Sequence, residues 1–171
     1  MISGIYSLSE LQQAIALNPD QWRPLVLTNG CFDLLHAGQV RYIHVAKSLG
    51  RAIVVGLNSD RSVKTIKPNK PGLPPRPLVP QTQRAEVLAS LKAVDGVVIF
   101  KETTATRLIQ AVQPEIYVKG GDYSQSTLPE FPVVQAYGGQ IELVKFEVQT
   151  STTALIESIL NAQGFCDRSE G

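Results

Sequence analysis

A histidine followed by a glycine two residues later occurs in a polar loop suited to holding phosphate groups. The loop comprises residues 28–39 and follows a short apolar run typical of a buried strand. Gly30 allows a polyphosphate to approach the backbone closely, and the N–H groups around Gly38, where a helix should begin, favour anions. His36 can donate to a phosphate and stabilise developing charge. Alternatively, His36 serves only as a helix cap and Asp33 only as a turn former.

Three further loops that follow predicted strands contain similar residues. They read Asn58-Ser59-Asp60, Lys119-Gly120-Gly121-Asp122 and Gln149-Thr150-Ser151-Thr152-Thr153. In an open parallel sheet, ligands bind at the carboxyl ends of the strands. We therefore expect these loops to share one site with residues 28–39. The paired glycines indicate a close approach of backbone to ligand.

A basic, proline-rich segment follows the second predicted strand. The prolines between Lys67 and Gln81 exclude a helix or a central strand there. Between residues 61 and 85 there is no acidic residue, and the basic residues are Arg61, Lys64, Lys67, Lys70, Arg76 and Arg84. We predict a functional loop over residues 61–81, acting as a lid on a substrate. The alternatives are a plain linker and, for Lys64 and Lys67, solvated surface charges.

Short apolar strands alternate with helices along the rest of the chain. Strands are predicted at 24–27, 52–57, 96–100, 115–119 and 140–146, and helices at 7–17, 38–49, 81–93, 104–112, 129–137 and 151–162. This alternation predicts a single α/β domain over residues 1–171 with a doubly wound, Rossmann-like, five-stranded parallel sheet. We expect residues 1–22 to form a helical lead-in and residues 164–171 to form a tail.

Composition excludes several classes of function. Sixteen basic and 15 acidic residues give a net charge of +1, so we expect no nucleic-acid partner. No apolar run is long enough to span a bilayer, and the N-terminus lacks a secretion signal, so we expect no membrane association and a cytoplasmic protein. Cys31 and Cys166 are too few for a disulfide scaffold, and Cys31 is expected to be a buried thiol rather than a nucleophile.

Residues 28–39 resemble the phosphate-binding loop of the nucleotidyltransferase superfamily, whose motif is His-x-Gly-His. More closely, the chain resembles the adenylyltransferase half of the bifunctional heptose-phosphate kinase/heptose 1-phosphate adenylyltransferases of lipopolysaccharide precursor synthesis. The matching stretches occur in order over roughly residues 24–160: Asn58-Ser59-Asp60, Gln83-Arg84-Ala85-Glu86-Val87-Leu88, Ala93-Val94-Asp95, Val118-Lys119-Gly120-Gly121-Asp122-Tyr123 and Ser151-Thr152-Thr153. Several ordered matches are more specific than one short motif.

The resemblance implies a role for each matching residue. Catalytic roles fall to His36, Lys64 and Gln39, and acceptor binding to Asn58, Asp60 and Arg84. Nucleotide binding falls to Thr28, Asn29, Gly30, Phe32, Asp33, Gly38, Lys119, Gly121, Asp122, Ser151, Thr152 and Thr153. The implied substrates are ATP, with Mg²⁺, and a sugar 1-phosphate, with D-glycero-β-D-manno-heptose 1-phosphate as acceptor. The metal ligands stay open, and a homodimer is implied.

Gln39 departs from the motif, because the family has a second histidine at this position. An amide can donate to a phosphate oxygen but cannot become cationic, and loss of a charged donor reduces a rate by about 10²–10³. Two alternatives therefore stay open beside the adenylyltransferase. One is a cytidylyltransferase for a polyol or amino-alcohol phosphate, and the other is a nucleotide-binding module with weakened catalysis.

Overall fold

The fold is built on one all-parallel sheet. The computed structural model describes residues 3–121, 124–145 and 150–166, with side chains described as far as residue 162. Its strands are β1 (Ile5–Tyr6), β2 (Leu25–Gly30), β3 (Ala52–Asn58), β4 (Gly96–Phe100), β5 (Ile116–Gly120) and β6 (Gln140–Val144). They are arranged in the order β1-β4-β3-β2-β5-β6, with every pair parallel.

Helices connect the strands and cover both faces of the sheet. They are α1 (Leu8–Leu17), α2 (Pro19–Trp22), α3 (Ala37–Lys47), α4 (Asp60–Ile66), α5 (Gln81–Ala89), α6 (Thr106–Val112), α7 (Phe131–Ala136) and α8 (Thr152–Cys166). Alternate residues of a strand point to opposite faces. Accordingly, Leu25 and Leu27 join one apolar cluster, which includes residues of α1 and α6, whereas Val26 joins the other, which includes residues of α3 and α5.

The direction of winding reverses at β2, and this reversal positions the site. From β2 the chain proceeds to β3 and β4 on one side, then crosses to β5 and β6 on the other. Thr28 of β2 lies opposite Val55 of β3 and Val118 of β5. Such a switch point opens a crevice at the carboxyl ends of the strands. The loops after β2 and β5 consequently border the same space.

The structure confirms the predicted doubly wound α/β fold but corrects the strand count from five to six. The additional strand, β1, has two half-buried residues, and Ile5 pairs with Val97 at the sheet edge. A strand this short shows no recognisable alternation of apolar residues, which is why the pattern did not reveal it. A capping box stabilises the start of α1: Glu10 N–H donates to Ser7 Oγ over 3.2 Å, and Ser7 N–H donates to Glu10 Oε2 over 2.7 Å.

The predicted loop over residues 61–81 is also corrected at its start. Residues Asp60–Ile66 form α4, which Ser59 caps by accepting a hydrogen bond from Ser62 N–H over 3.2 Å. The prolines begin only at Pro68, so they do not prevent this helical turn. The proline-rich loop therefore comprises residues 67–80.

The last helix is longer than predicted. α8 continues to Cys166 and so includes the first residues of the predicted tail, whereas residues 167–171 lie outside the described residues. Within the described part of the chain, none of the helices combines the length and the apolar character needed to cross a membrane.

Candidate functional site

A cavity of about 540 Å³ opens at the switch point of the sheet. Residues from all four of the predicted loops line it, as the position of strand ends in a parallel sheet requires. The predicted site residues in its lining are Asn29, Gly30, Phe32, Asp33, His36, Gln39, Asn58, Lys119, Ser151, Thr152 and Thr153. The fold thus brings together residues that are more than 120 positions apart in sequence.

His36 begins helix α3 and presents unused hydrogen-bonding capacity beside the cavity. Its backbone is extended and forms the N-cap, but its side chain makes no capping hydrogen bond. Its Nδ1 atom is buried, and none of the described residues bonds to it. Burial lowers the pKa of His36 from its ordinary value, because loss of water disfavours the imidazolium. The backbone of His36 thus forms the N-cap of α3, and its Nδ1 atom accepts no hydrogen bond from the described residues.

Gln39 supports the start of the same helix. Its Oε1 atom accepts a hydrogen bond from His36 N–H over 3.3 Å. The side chain also lines the cavity, and an amide has an NH₂ group with which it can still donate. At the position of the second motif histidine, this protein therefore has a neutral group that fixes the helix entrance.

The loop after β2 is conformationally constrained at Phe32. Phe32 has a φ of 43°, a left-handed conformation that is unusual for an aromatic residue. A Cβ atom added at Gly30 would lie 3.0 Å from the Phe32 ring. A side chain at position 30 would therefore press against the Phe32 ring and displace it by a few tenths of an ångström.

Asp33 anchors the proline-rich loop of residues 67–80. Its carboxylate is fully buried and pairs with Arg76 Nε. Its Oδ1 atom also accepts from Leu78 N–H over 2.8 Å and from Val79 N–H over 2.9 Å. These bonds hold the loop, and with it Arg76, against the rim of the cavity. Asp33 lines the cavity, but its hydrogen-bonding capacity is used by the protein itself.

Arg84 lies behind the cavity wall rather than in it. Its buried guanidinium donates to Cys31 O over 2.5 Å, to Asn58 O over 3.0 Å and to Val79 O over 2.8 Å. It also pairs with Asp60 Oδ1 at 2.7 Å. The structure thus places two of the predicted acceptor-binding residues, Arg84 and Asp60, in a brace that joins the loop after β2, the end of β3 and the proline-rich loop.

Several other predicted residues do not line the cavity. Thr28 is buried, and its hydroxyl lies 2.6 Å from the hydroxyl of Tyr42. Gly38 is buried in the first turn of α3, and Gly121 N–H donates to Val144 O over 3.1 Å. Lys64 is exposed on α4. Asp122 lies outside the described residues.

Lys67 and Arg76 lie where Lys64 was expected to act, since both line the cavity. The basic run without acidic residues pointed to this segment, but its pattern did not distinguish one cation from another. Lys64 turns outward because residues 60–66 are helical. The ion pair with Asp33, a residue far away in sequence, holds Arg76 at the cavity.

Lys119 sits in a polar cluster at the end of β5. Its Nζ donates to Asn29 Oδ1 over 3.0 Å and to the Tyr117 hydroxyl over 3.2 Å. Burial lowers the pKa of Lys119, while Glu130, whose Oε1 lies 3.9 Å from the ammonium, opposes the shift. The cluster fixes the cation at the cavity wall instead of leaving it in solvent.

Glu130 is a cavity residue that sequence reasoning missed. It precedes α7 and is 2% exposed. The sequence placed it within the predicted helix 129–137, where an acidic residue normally faces water. Other lining residues missed in the same way include Thr103, Thr104, Leu128 and Pro129. The buried carboxylate has no evident sequence signal beyond its position after a proline.

The N-terminus of α8 completes the cavity. Ser151 Oγ accepts from Ala154 N–H over 3.1 Å, and Ser151, Thr152 and Thr153 line the space. The N-terminal end of a helix attracts anions through its N–H groups and dipole. Together with Lys67 and Arg76, this end gives the cavity a surface suited to phosphate groups.

Cys31 lines the cavity but is not an activated nucleophile. Burial raises the pKa of the Cys31 thiol, an effect that the nearby Lys67, Arg84 and Arg76 only partly oppose. A reactive cysteine requires the opposite shift. Cys31 is half-buried rather than buried as predicted, and the raised pKa agrees with the prediction that it is not a nucleophile.

This fold and this phosphate-suited cavity define a nucleotidyltransferase-type protein. A family model described as cytidylyltransferase-like matches residues 27–158, and the chain belongs to that family, within the nucleotidyltransferase superfamily. The matched residues extend from within β2 to the start of α8 and include the residues that line the cavity.

The curated relatives are larger proteins. Bifunctional protein HldE of Geobacter metallireducens is 46% identical over 160 residues, which cover 94% of this chain and 32% of that protein. Bifunctional protein HldE of Proteus mirabilis is 45% identical over 156 residues, covering 91% of this chain and 32% of that protein. The chain thus spans about a third of the length of these relatives.

Solved structures share the fold at low sequence identity. A lipopolysaccharide core biosynthesis protein from Thermoplasma volcanium superimposes with a TM-score of 0.59 at 22% identity, covering 73% of this chain and 97% of that one. Pantoate-beta-alanine ligase from Francisella tularensis gives 0.55 at 15% identity, covering 87% and 68%. These likenesses establish the architecture alone.

Because Asp33 anchors the proline-rich loop, Asp33→Asn should lower the stability of the whole protein and loosen the loop itself. The variant should lose about 3–5 kcal/mol of stability, because it leaves Arg76 without its buried partner. The amides of Leu78 and Val79, which donate to Asp33, should exchange hydrogen faster. Denaturant unfolding and amide hydrogen exchange measure the two effects.

Asp20→Asn is the matched control for this experiment, since Asp20 is exposed on α2. It should leave both measurements unchanged. Equal stability and equal exchange in Asp33→Asn and the unmodified protein would show that the loop is held by other contacts.

Proposed function

We propose that the protein is an adenylyltransferase that joins ATP to D-glycero-β-D-manno-heptose 1-phosphate, giving an ADP-sugar and pyrophosphate. The observation that carries the proposal is the cavity at the switch point, where His36, three cationic side chains and the N-terminus of α8 converge. The choice of a heptose is supported by the ordered sequence stretches and by the similarity to proteins named HldE.

The proposed reaction is an in-line displacement at the α-phosphorus of ATP. A phosphate oxygen of the sugar 1-phosphate forms a bond to this phosphorus, and the bond to the β-phosphate bridging oxygen breaks. Pyrophosphate leaves with the electron pair. The attacking group is already an anion, so no general base is required. Catalysis then consists of positioning and of stabilising charge.

The protein's own groups match this requirement for charge stabilisation. Lys67 and Arg76 supply positive charge at the rim, and the amides at the start of α8 supply neutral donors. His36 can donate to a phosphate and becomes cationic when an anion raises its pKa. In this proposal the fixed loops align the two phosphorylated substrates, which would otherwise repel each other.

Mg²⁺ belongs to the proposal as part of the substrate. Within the residues that the structure describes, there is no group of three His, Cys, Asp or Glu side chains able to hold a metal ion. Mg²⁺ is commonly bound through substrate phosphates and water with few protein ligands. We propose that it enters bound to ATP.

Pyrophosphate release with ATP, Mg²⁺ and the heptose 1-phosphate tests the proposed function. The unmodified protein should turn over, because the phosphate-suited surface is intact although Gln39 is neutral. Gln39→His should turn over faster, by up to about 10²–10³, because an imidazolium adds a charged donor. Parallel reactions with CTP and with polyol or amino-alcohol phosphates complete the assay.

The outcomes separate the alternative functions. Turnover with CTP and not ATP would identify a cytidylyltransferase, consistent with the description of the matching family. ATP binding without turnover, restored in Gln39→His, would identify a module with weakened catalysis. Absence of both ATP binding and turnover would contradict a nucleotidyltransferase.

The lowered pKa of His36 predicts a pH-dependent affinity for ATP. In the free protein, burial holds the pKa of His36 below its ordinary value, and the phosphates of bound ATP should raise it. Binding then takes up a proton between the two pKa values, so affinity should increase as the pH falls from 8 to 6. A difference of one pKa unit corresponds to about a tenfold change, which calorimetry can measure.

His36→Asn should abolish this increase while retaining the titration of ATP itself. His44→Asn serves as the matched control, because His44 is exposed in the last turn of α3. The same pH dependence in His36→Asn and the unmodified protein would show that His36 does not contact the phosphates.

A further inference from the structure

Glu130 is a buried carboxylate of the cavity whose hydrogen bonds are incomplete. It lies just before α7 and is 2% exposed. Its Oε1 atom accepts from Ala105 N–H over 3.2 Å and lies 3.9 Å from Lys119 Nζ. Its Oε2 atom is buried, and no hydrogen-bond donor among the described residues reaches it.

Such an oxygen is uncommon in a folded protein. Leaving a buried acceptor without a donor is unfavourable, and most buried polar atoms have a partner. The other cavity carboxylate, Asp33, accepts from Arg76, Leu78 and Val79. The contrast indicates that a substrate, rather than the protein, supplies the partner of Glu130.

The charge of Glu130 determines which part of a substrate can approach it. A phosphate group would be repelled by the carboxylate, whereas an uncharged hydroxyl or amino group can donate to it. Lys119, the nearest cation, is already held by Asn29 and Tyr117. The wall formed by Glu130 therefore suits the neutral, polar portion of a substrate.

We propose that Glu130 Oε2 accepts a hydrogen bond from an uncharged O–H or N–H group of a bound substrate and thereby contributes to substrate specificity. This inference rests on the proposed function, in which both substrates offer such groups. The donor is either a sugar or ribose hydroxyl or the amino group of the base. All of these groups are uncharged hydrogen-bond donors.

Glu130→Gln tests the inference, with Glu86→Gln as the matched control on the exposed surface of α5. Calorimetry with Mg-ATP and with the heptose 1-phosphate measures each affinity separately, and steady-state kinetics gives KM for each substrate. Glu130→Gln should weaken one substrate about tenfold to a hundredfold, the range for a lost hydrogen bond to a charged group. The other substrate should bind as before.

Substrate analogues then locate the donor. Inosine triphosphate lacks the amino group of adenine, 2′-deoxy- and 3′-deoxy-ATP each lack one ribose hydroxyl, and deoxy forms of the sugar 1-phosphate lack sugar hydroxyls. An analogue without the relevant donor should bind equally to the unmodified protein and to Glu130→Gln. This loss of difference identifies the group that contacts Glu130.

Thermal unfolding checks that the variants fold. If Glu130→Gln does not fold, Glu130→Asp retains the charge but withdraws it by one methylene, and it should show the same selective loss. Unchanged affinity for both substrates in a folded variant would overturn the inference alone. An unmodified protein that binds neither substrate would instead overturn the proposed function.

Discussion

The shape of the cavity depends on the hydrogen bonds of the buried Arg84 guanidinium. It joins the carbonyls of Cys31, Asn58 and Val79, which belong to the loop after β2, the end of β3 and the proline-rich loop. A buried cation must be fully hydrogen-bonded to be tolerated, and removing one member of such an arrangement leaves polar groups without partners. One side chain therefore fixes the relative positions of three segments that border the site.

The cavity and the wall behind it combine groups used for structure with groups left for a ligand. Asp33 and Arg84 have their hydrogen bonds completed within the protein. His36 Nδ1 and Glu130 Oε2 have no partner among the described residues. A buried polar atom without a partner costs free energy, and a ligand that supplies the partner recovers it. The first pair of residues keeps the site rigid, and the second pair keeps hydrogen-bonding atoms available to a ligand.

The sequence predicted the layered architecture and the general location of the site, because strand–helix alternation and polar strand ends follow from local patterns. It did not predict β1, since two residues give no periodicity, or α4, since the following prolines obscured it. It assigned Arg84 to the acceptor pocket and overlooked Glu130. The roles of Arg84 and Glu130 depend on the groups that their side chains contact, and these groups belong to residues distant in sequence.

A crystal structure with Mg²⁺ and the non-reacting analogue α,β-methylene-ATP would test the central claim most directly. The account predicts that the triphosphate lies between His36 and the N-terminal amides of α8, with Lys67 or Arg76 in contact with a phosphate. A nucleotide bound elsewhere on the sheet, with the cavity at the switch point unchanged, would contradict it.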